Sequence, residues 1–78
     1  MPTYGRFGPY LFVFWSSDRD ERPHIHVKRD RSIAKYWVDS VELAESHGFK
    51  THELRRIERI VEDEQEGILA FWHDYFND

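Results

Sequence analysis

The stretch Pro23-His24-Ile25-His26-Val27 decides the fold of this chain, because its residues alternate between two chemical types. Side chains of a β-strand point alternately to opposite faces of a sheet. His24 and His26 should therefore lie side by side on one face, opposite the two aliphatic residues. Pro23 ends the polar loop before this segment and fixes where the strand begins.

Strands are predicted on both sides of this segment, which itself continues as a strand over His24–Arg29. Tyr10–Trp15 consists entirely of aromatic and aliphatic residues, which is typical of a strand buried on both faces or nearly so. Ile33–Val38 forms the third strand after a short hairpin connection. Its alternate residues divide between two faces: Ile33, Lys35 and Trp37 on one, and Ala34, Tyr36 and Val38 on the other.

The hydrophobic period changes from two residues to about 3.6 after the third strand. Asp39 is placed to cap a short helix. That helix would run through Val41, Leu43 and Ala44, and Gly48 would end it with a left-handed residue.

A second, longer helix is predicted from Thr51, as its N-cap, to about Phe76. Its apolar residues form one stripe, which Glu64 and Gly67 interrupt near the middle. Strands followed by helices indicate an α+β fold. We therefore expect a single domain over residues 1–78, with a three-stranded antiparallel meander packed on a short helix and a long C-terminal helix.

Composition limits the classes of function open to this chain. The 78 residues contain no cysteine, which excludes disulfides and thiolate zinc sites. The N-terminus lacks a signal-peptide pattern and no apolar run approaches a membrane span, so we expect a cytoplasmic protein. The net charge of −4 divides unevenly between the two halves. Residues 1–36 carry seven basic and four acidic side chains, whereas residues 37–78 carry four basic and eleven acidic side chains.

Two imidazoles on one strand offer two kinds of chemistry. One is a metal site, for which Asp18, Asp20 or Glu21 in the preceding loop would supply carboxylates. The other is metal-free acid–base catalysis, in which one ring acts as base and the other as acid. The metal-free mechanism is favoured, because the chain lacks the helical His-Glu-x-x-His spacing. The simplest alternative is an exposed sheet face without chemistry.

Basic side chains surround the histidine pair. Lys28 shares its face, Lys35 lies across from it if the register allows, and Arg22 precedes the strand. In the metal-free hypothesis these three cations stabilise negative charge on a phosphate. The alternative is a solvated face that keeps the sheet soluble. Three aromatic residues are candidates for stacking on a nucleic-acid base: Tyr10, Tyr36 and Trp37.

The end of the predicted long helix is unusually aromatic. Its candidate partner-binding residues are Phe71, Trp72, Tyr75 and Phe76. Four aromatic residues in six positions cover most of the circumference of a helix, so those that the core does not bury would form a docking surface. The alternative is that the N-terminal Tyr4 and Phe7 wrap this end of the helix.

The chain resembles a small bacterial family known as domain of unknown function 4160. The resemblance spans essentially the whole chain and is carried by Met1-Pro2-Thr3, by the strand Tyr10–Trp15 and above all by Arg22-Pro23-His24-Ile25-His26-Val27. It implies membership of two-gene modules similar to toxin–antitoxin pairs. The implied partner is a small protein of domain of unknown function 2442. The resemblance assigns no catalytic residue.

Two hypotheses from different classes follow. In the first, the chain is a toxin-like enzyme, a metal-independent ribonuclease or other phosphodiesterase that uses His24, His26, Lys28, Arg22 and Lys35 and needs no cofactor. In a variant of this hypothesis, the same enzyme uses a divalent metal ion. In the second, the chain is a non-enzymatic binding module that docks a partner protein through its aromatic helix or a free sheet edge. The acidity of the chain counts against tight nonspecific binding to nucleic acid.

Overall fold

A computed structural model describes residues 2–76 of the chain. Five antiparallel strands, β1 to β5, lie in the sheet in the order of the sequence. They are followed by two helices, α1 and α2, so the α+β class is confirmed. The elements are β1 Thr3–Phe7, β2 Tyr10–Val13, a 3₁₀ segment Ser16–Asp20, β3 His24–Arg29, β4 Ser32–Trp37, β5 Glu42–His47, α1 Thr51–Asp63 and α2 Gln65–Phe76.

The sheet has five strands where the sequence predicted three. The first additional strand is β1, which pairs with β2 through a tight connection at Gly8, whose φ is 61°. That left-handed backbone is readily adopted by glycine and lets the chain reverse within two residues. Sequence analysis predicted no strand here, because glycine and proline are frequent in residues 1–9 and favour turns. The strand predicted over Tyr10–Trp15 ends at Val13.

The second additional strand is β5, which occupies the place of the predicted short helix. Val41 adopts a left-handed backbone with φ of 54°, and the chain then returns along β4 with Lys35 paired to Glu45. Pairing with β4 satisfies backbone groups that would otherwise be left at a sheet edge. Tertiary pairing thus overrides the local helical pattern. Gly48, with φ of 88°, ends this strand rather than a helix.

The predicted long helix divides in two at Glu64. Lys50, and not Thr51, is the N-cap residue of α1. The break coincides with Tyr4 of β1, whose hydroxyl donates a hydrogen bond to Glu64 Oε1 at 2.7 Å. A Cβ at Gly67 would clash with that same hydroxyl. The interruption of the apolar stripe at Glu64 and Gly67 therefore marks the place where the N-terminal strand contacts the helices.

The core lies between the two helices and one face of the sheet. The predicted division of faces holds, because Ile25 and Val27 of β3 are fully buried there. The Tyr36 hydroxyl donates to the backbone carbonyl of Leu54 in α1 at 2.9 Å, which fixes α1 against this face. The helices contribute Ile57, Val61, Ile68, Trp72 and Phe76 to the same core.

The opposite face of the sheet has no helix packed across it among residues 2–76, and we call it the helix-free face. Strand register assigns to it Arg6, Leu11, Val13, His24, His26, Lys28, Ile33, Lys35, Trp37, Glu45 and His47. The 3₁₀ segment lies at one end, where Asp18 contacts the two histidines. Helix α2 reaches only the corner of this face, where Trp72 contacts His24.

Candidate functional site

The two histidines of β3 share one face, as predicted, but they are enclosed rather than exposed. The ring centroids of His24 and His26 are 5.0 Å apart, with the rings nearly perpendicular. The side chain of His24 is fully buried and lies against Trp72, with ring centroids 5.0 Å apart. The side chain of His26 is 14% exposed. Its ring makes an edge-to-face contact with Trp15, with ring centroids 3.8 Å apart. Burial of this pair argues against an ordinary solvated face.

Asp18 is the one loop carboxylate that reaches both rings. Its Oδ2 lies 3.0 Å from His24 Nε2 and 3.5 Å from His26 Nε2. The 3₁₀ segment holds it there, because the Trp15 backbone N–H donates to the same Oδ2 at 2.9 Å and the Asp18 N–H donates to the Trp15 carbonyl at 2.9 Å. Of the other two candidates, Glu21 instead accepts a hydrogen bond from Lys35 at 2.7 Å.

The tautomer of His24 follows from its second ring nitrogen. Nδ1 lies 2.8 Å from the carbonyl oxygen of Arg22, which can only accept a hydrogen bond. Nδ1 therefore carries a proton, and Nε2 of a neutral His24 presents a lone pair toward Asp18. Among residues 2–76, neither His24 Nε2 nor His26 Nε2 has a hydrogen-bond partner, although both atoms are buried. The 3.0 Å approach to Asp18 is thus a close contact without hydrogen-bond geometry.

The electrostatics of the pair disfavour acid catalysis by His26. Burial, together with repulsion from His24 and Lys35, lowers the pKa of His26 from 6.5 to about 4, against an opposing attraction to Asp18. At neutral pH the ring of His26 is therefore uncharged and does not supply the second proton of an imidazolium. His24, fully buried, cannot meet a phosphate directly.

The predicted cations lie around this cluster with different partners. Lys35 is directly across from His26 in the β3–β4 register, and its Nζ lies 4.6 Å from the centre of the Trp37 ring. Arg22 instead pairs with Asp39 at 2.7 Å, and its guanidinium carbon lies 4.7 Å from the centre of the Trp37 ring. Lys28 is half-buried farther along the face of β3. Lys35 is therefore the cation closest in register to the histidines, and Arg22 is engaged elsewhere.

Two of the three candidate stacking residues are in the core. Tyr10 and Tyr36 are each 1% exposed, so neither can stack on a base. Trp37 is half-buried between two cations. Sequence reasoning missed Trp15, which had been assigned to a strand and instead forms the wall beside His26. Its place directly before the acidic loop was the available signal.

A cavity of about 130 Å³ opens on the helix-free face beside His26. It is lined in part by Trp15, Lys35, Glu45 and His47. The last two residues come from β5, and sequence analysis missed them because that segment had been assigned to a helix. The cavity gives the His26 side of the cluster access to a small ligand, whereas the His24 side is closed by Trp72.

The aromatic end of α2 mainly serves the core. Trp72 is 1% exposed and Phe76 is 4% exposed. Phe71 is half-buried, and its ring centroid lies 5.6 Å from that of Tyr4. This contact agrees with the alternative in which N-terminal residues wrap this end of the helix. Tyr75, at 47% exposed, is the member of this set that faces solvent. A docking surface made of all four residues is therefore not present in the folded chain.

Comparison with known proteins identifies the family. The family model described as domain of unknown function (DUF4160) matches residues 10–73, which is most of the chain. The protein belongs to this family, as the His24–Val27 motif had suggested. No curated protein and no solved structure matched the chain. Among the described residues, no helix is long and apolar enough to cross a membrane.

Proposed function

We propose that this protein is the toxin-like component of a bacterial two-gene module and acts on RNA or another phosphodiester at its helix-free face. The observation that carries this proposal is the cationic character of that face. Arg6, Lys28 and Lys35 project from β1, β3 and β4, and Lys35 lines the cavity at His26. Proteins that bind single-stranded nucleic acid commonly combine an open sheet face with cations and aromatic side chains.

The local charge of this face supports binding of an anion despite the net charge of −4. Six of the eleven acidic side chains in residues 37–78 lie on the helices of the other layer, whereas Glu45 lies on the helix-free face. Among the ion pairs of residues 2–76, none includes Arg6 or Lys28. Their charges are therefore available to a phosphate backbone. Trp15 supplies an aromatic surface at the cavity.

The toxin-like role and the partner rest on the family resemblance. Under this proposal a small cognate protein of domain of unknown function 2442 binds the chain and suppresses its action. Expression of the chain alone should then slow bacterial growth, and co-expression of the cognate protein should restore it. Growth that is unaffected by the chain alone would contradict the toxin-like role.

Binding to RNA is tested by fluorescence anisotropy with a labelled single-stranded RNA of about 12 nucleotides. The double variant Arg6→Ala with Lys28→Ala should weaken binding and reduce the slope of log K against log salt by about one to two units. Arg55→Ala with Arg59→Ala is the matched control, because these exposed cations lie on α1. Equal weakening in both double variants, or no binding by the native chain, would overturn the proposal.

A second candidate function is a non-enzymatic binding module, which the exposed edge of the sheet favours. Strand β5 pairs only with β4 and is therefore an edge strand, and Leu43 on it is 41% exposed. Edge strands are templates for addition of a partner strand. Under this alternative, Leu43→Lys should abolish capture of the cognate protein, whereas Tyr75→Ser should not. Retained capture by the Leu43 variant would exclude this edge.

A further inference from the structure

We propose that Asp18, His24 and His26 together bind one divalent first-row transition-metal ion of the Zn²⁺ or Fe²⁺ type. The ligand atoms are Asp18 Oδ2 and the Nε2 atoms of the two histidines. All three lie within 4.8 Å of one another. This inference goes beyond the proposed action on RNA and stands on different residues, since the cationic side chains of the helix-free face take no part in it.

The separations between the atoms are those that one shared metal ion requires. Ligand atoms about 2.1 Å from a metal lie about 3.0 Å apart at a right angle and about 3.4 Å apart at a tetrahedral angle. Asp18 Oδ2 is 3.0 Å from one imidazole nitrogen and 3.5 Å from the other. Asp18 can therefore share one metal ion with either imidazole, and the remaining pair, His24 Nε2 and His26 Nε2, lies within 4.8 Å.

The hydrogen bonds around the cluster leave the two buried Nε2 atoms without a hydrogen-bond partner among residues 2–76. His24 donates its Nδ1 proton to the Arg22 carbonyl. The unprotonated Nε2 of the neutral ring therefore directs its lone pair toward the Asp18 carboxylate. A proton shared between His24 and Asp18 would relieve that contact alone. It would leave the buried Nε2 of His26 without any partner. One metal ion satisfies both nitrogens and the carboxylate at once.

The surroundings resemble those that orient metal ligands in proteins. Metal-binding histidines generally donate their other ring N–H to a carbonyl or carboxylate, as His24 does to Arg22. Asp18 is oriented in turn by the backbone N–H of Trp15. Aromatic rings of Trp15 and Trp72 enclose the two imidazoles and limit contact with water. Such outer contacts fix the rings before the metal arrives.

The donor set selects the class of metal. Two imidazoles with one carboxylate suit zinc and iron, whereas magnesium and calcium prefer oxygen donors alone. Three protein ligands leave at least one coordination position for water or a substrate, which is the arrangement of catalytic rather than structural zinc. The cavity beside His26 provides space for such a ligand. The site is therefore suited to hydrolytic chemistry with a metal-bound water.

The test is isothermal titration calorimetry of the full chain, prepared without a histidine tag and freed of metal, with ZnCl₂ as the probe. One ion should bind per chain. Asp18→Asn and His26→Gln should each weaken binding by more than the roughly 10- to 100-fold lost when a supporting partner of a metal ligand is removed. The double variant His52→Gln, His73→Gln removes the two histidines that lie outside the cluster and its cavity, and it should bind Zn²⁺ as the native chain does.

Circular dichroism and thermal unfolding establish that each variant is folded. If Asp18→Asn fails to fold, His26→Gln decides the question, because its side chain is already partly exposed. Absence of binding by the native chain, undiminished binding in folded His26→Gln, or loss of binding in the His52→Gln, His73→Gln double variant would each overturn the metal site. RNA binding is measured separately on Arg6 and Lys28 variants. Failure of either proposal is thus distinguishable from failure of the other.

Discussion

The hydroxyl of Tyr4 donates a hydrogen bond to Glu64 Oε1 at 2.7 Å, although 60 positions separate the two residues. The contact joins the first strand to the junction of the two helices. Burial, together with the Glu64 carboxylate, raises the pKa of Tyr4 to about 12, so its hydroxyl remains a donor at physiological pH. The N-terminal strand thereby fixes where α1 ends and α2 begins.

Replacing Gly67 should have opposite effects with and without that hydroxyl. Gly67→Ala places a Cβ against the Tyr4 hydroxyl, and overpacking of this kind costs about 1–3 kcal/mol of unfolding free energy. In a Tyr4→Phe background the obstacle is gone, and Ala should stabilise the helix relative to Gly by about 0.5–1 kcal/mol. Urea unfolding of the four proteins in this double-mutant cycle measures the coupling. Additive effects would show that the hydroxyl does not restrict this position.

The hydrogen bond itself should be measurable in the Tyr4→Phe variant alone. A hydrogen bond to a half-buried carboxylate typically contributes about 1–2 kcal/mol, so the variant should lose about that much stability. Phe7→Leu, on the same strand, is a control for loss of packing without loss of a hydrogen bond. If Tyr4→Phe is as stable as the native chain by urea unfolding, the contact is not a stabilising one.

The two glycines with left-handed backbone should differ in their tolerance of alanine. Gly8 has φ of 61° and no atom near the site of a Cβ, so Gly8→Ala should cost only the backbone strain of about 1–2 kcal/mol. Gly48 has φ of 88°, and a Cβ there would lie 2.6 Å from Ser32 Oγ and 3.2 Å from the Ser32 backbone. Gly48→Ala should therefore be the more destabilising by at least about 1 kcal/mol. Equal losses would mean that the β4–β5 contact relaxes freely.

Acid should destabilise the metal-free protein through His26. Its folded pKa of about 4 lies below the 6.5 of an unfolded histidine, so the unfolded chain binds more protons between these values. The stabilising contribution of neutral His26 is complete above pH 6.5 and is lost as the pH falls toward 4. Thermal unfolding in EDTA should show this slope, and His26→Gln should reduce it. A melting temperature that rises on acidification over this range would contradict the pKa shift.

Alternation of apolar and polar residues made the central strands predictable, because each of β3 and β4 has one face against the core and one face without helices. It assigned Ile25 and Val27 to the core and put the two histidines together. It could not choose Asp18 among three nearby carboxylates, since that choice depends on how the 3₁₀ segment folds back on Trp15. The acidic residue that completes the site was therefore a candidate but not a prediction.

The errors have a common physical origin in contacts made at a distance along the chain. Strand β5 exists because β4 offers it a pairing edge, which its own residues do not encode. The helix break at Glu64 depends on Tyr4, and strand β1 depends on the hairpin at Gly8. Burial of Trp72 against His24 likewise joins two segments that no local pattern connects.

Long-range ¹H–¹⁵N NMR of the histidine rings, with ZnCl₂ added in steps, tests the metal site most directly. We predict that one equivalent of Zn²⁺ shifts the Nε2 resonances of both His24 and His26 and leaves the proton of His24 on Nδ1. The rings of His47, His52 and His73 should not respond at that ratio. Unchanged Nε2 resonances at His24 and His26, or a first response at one of the other three rings, would contradict it.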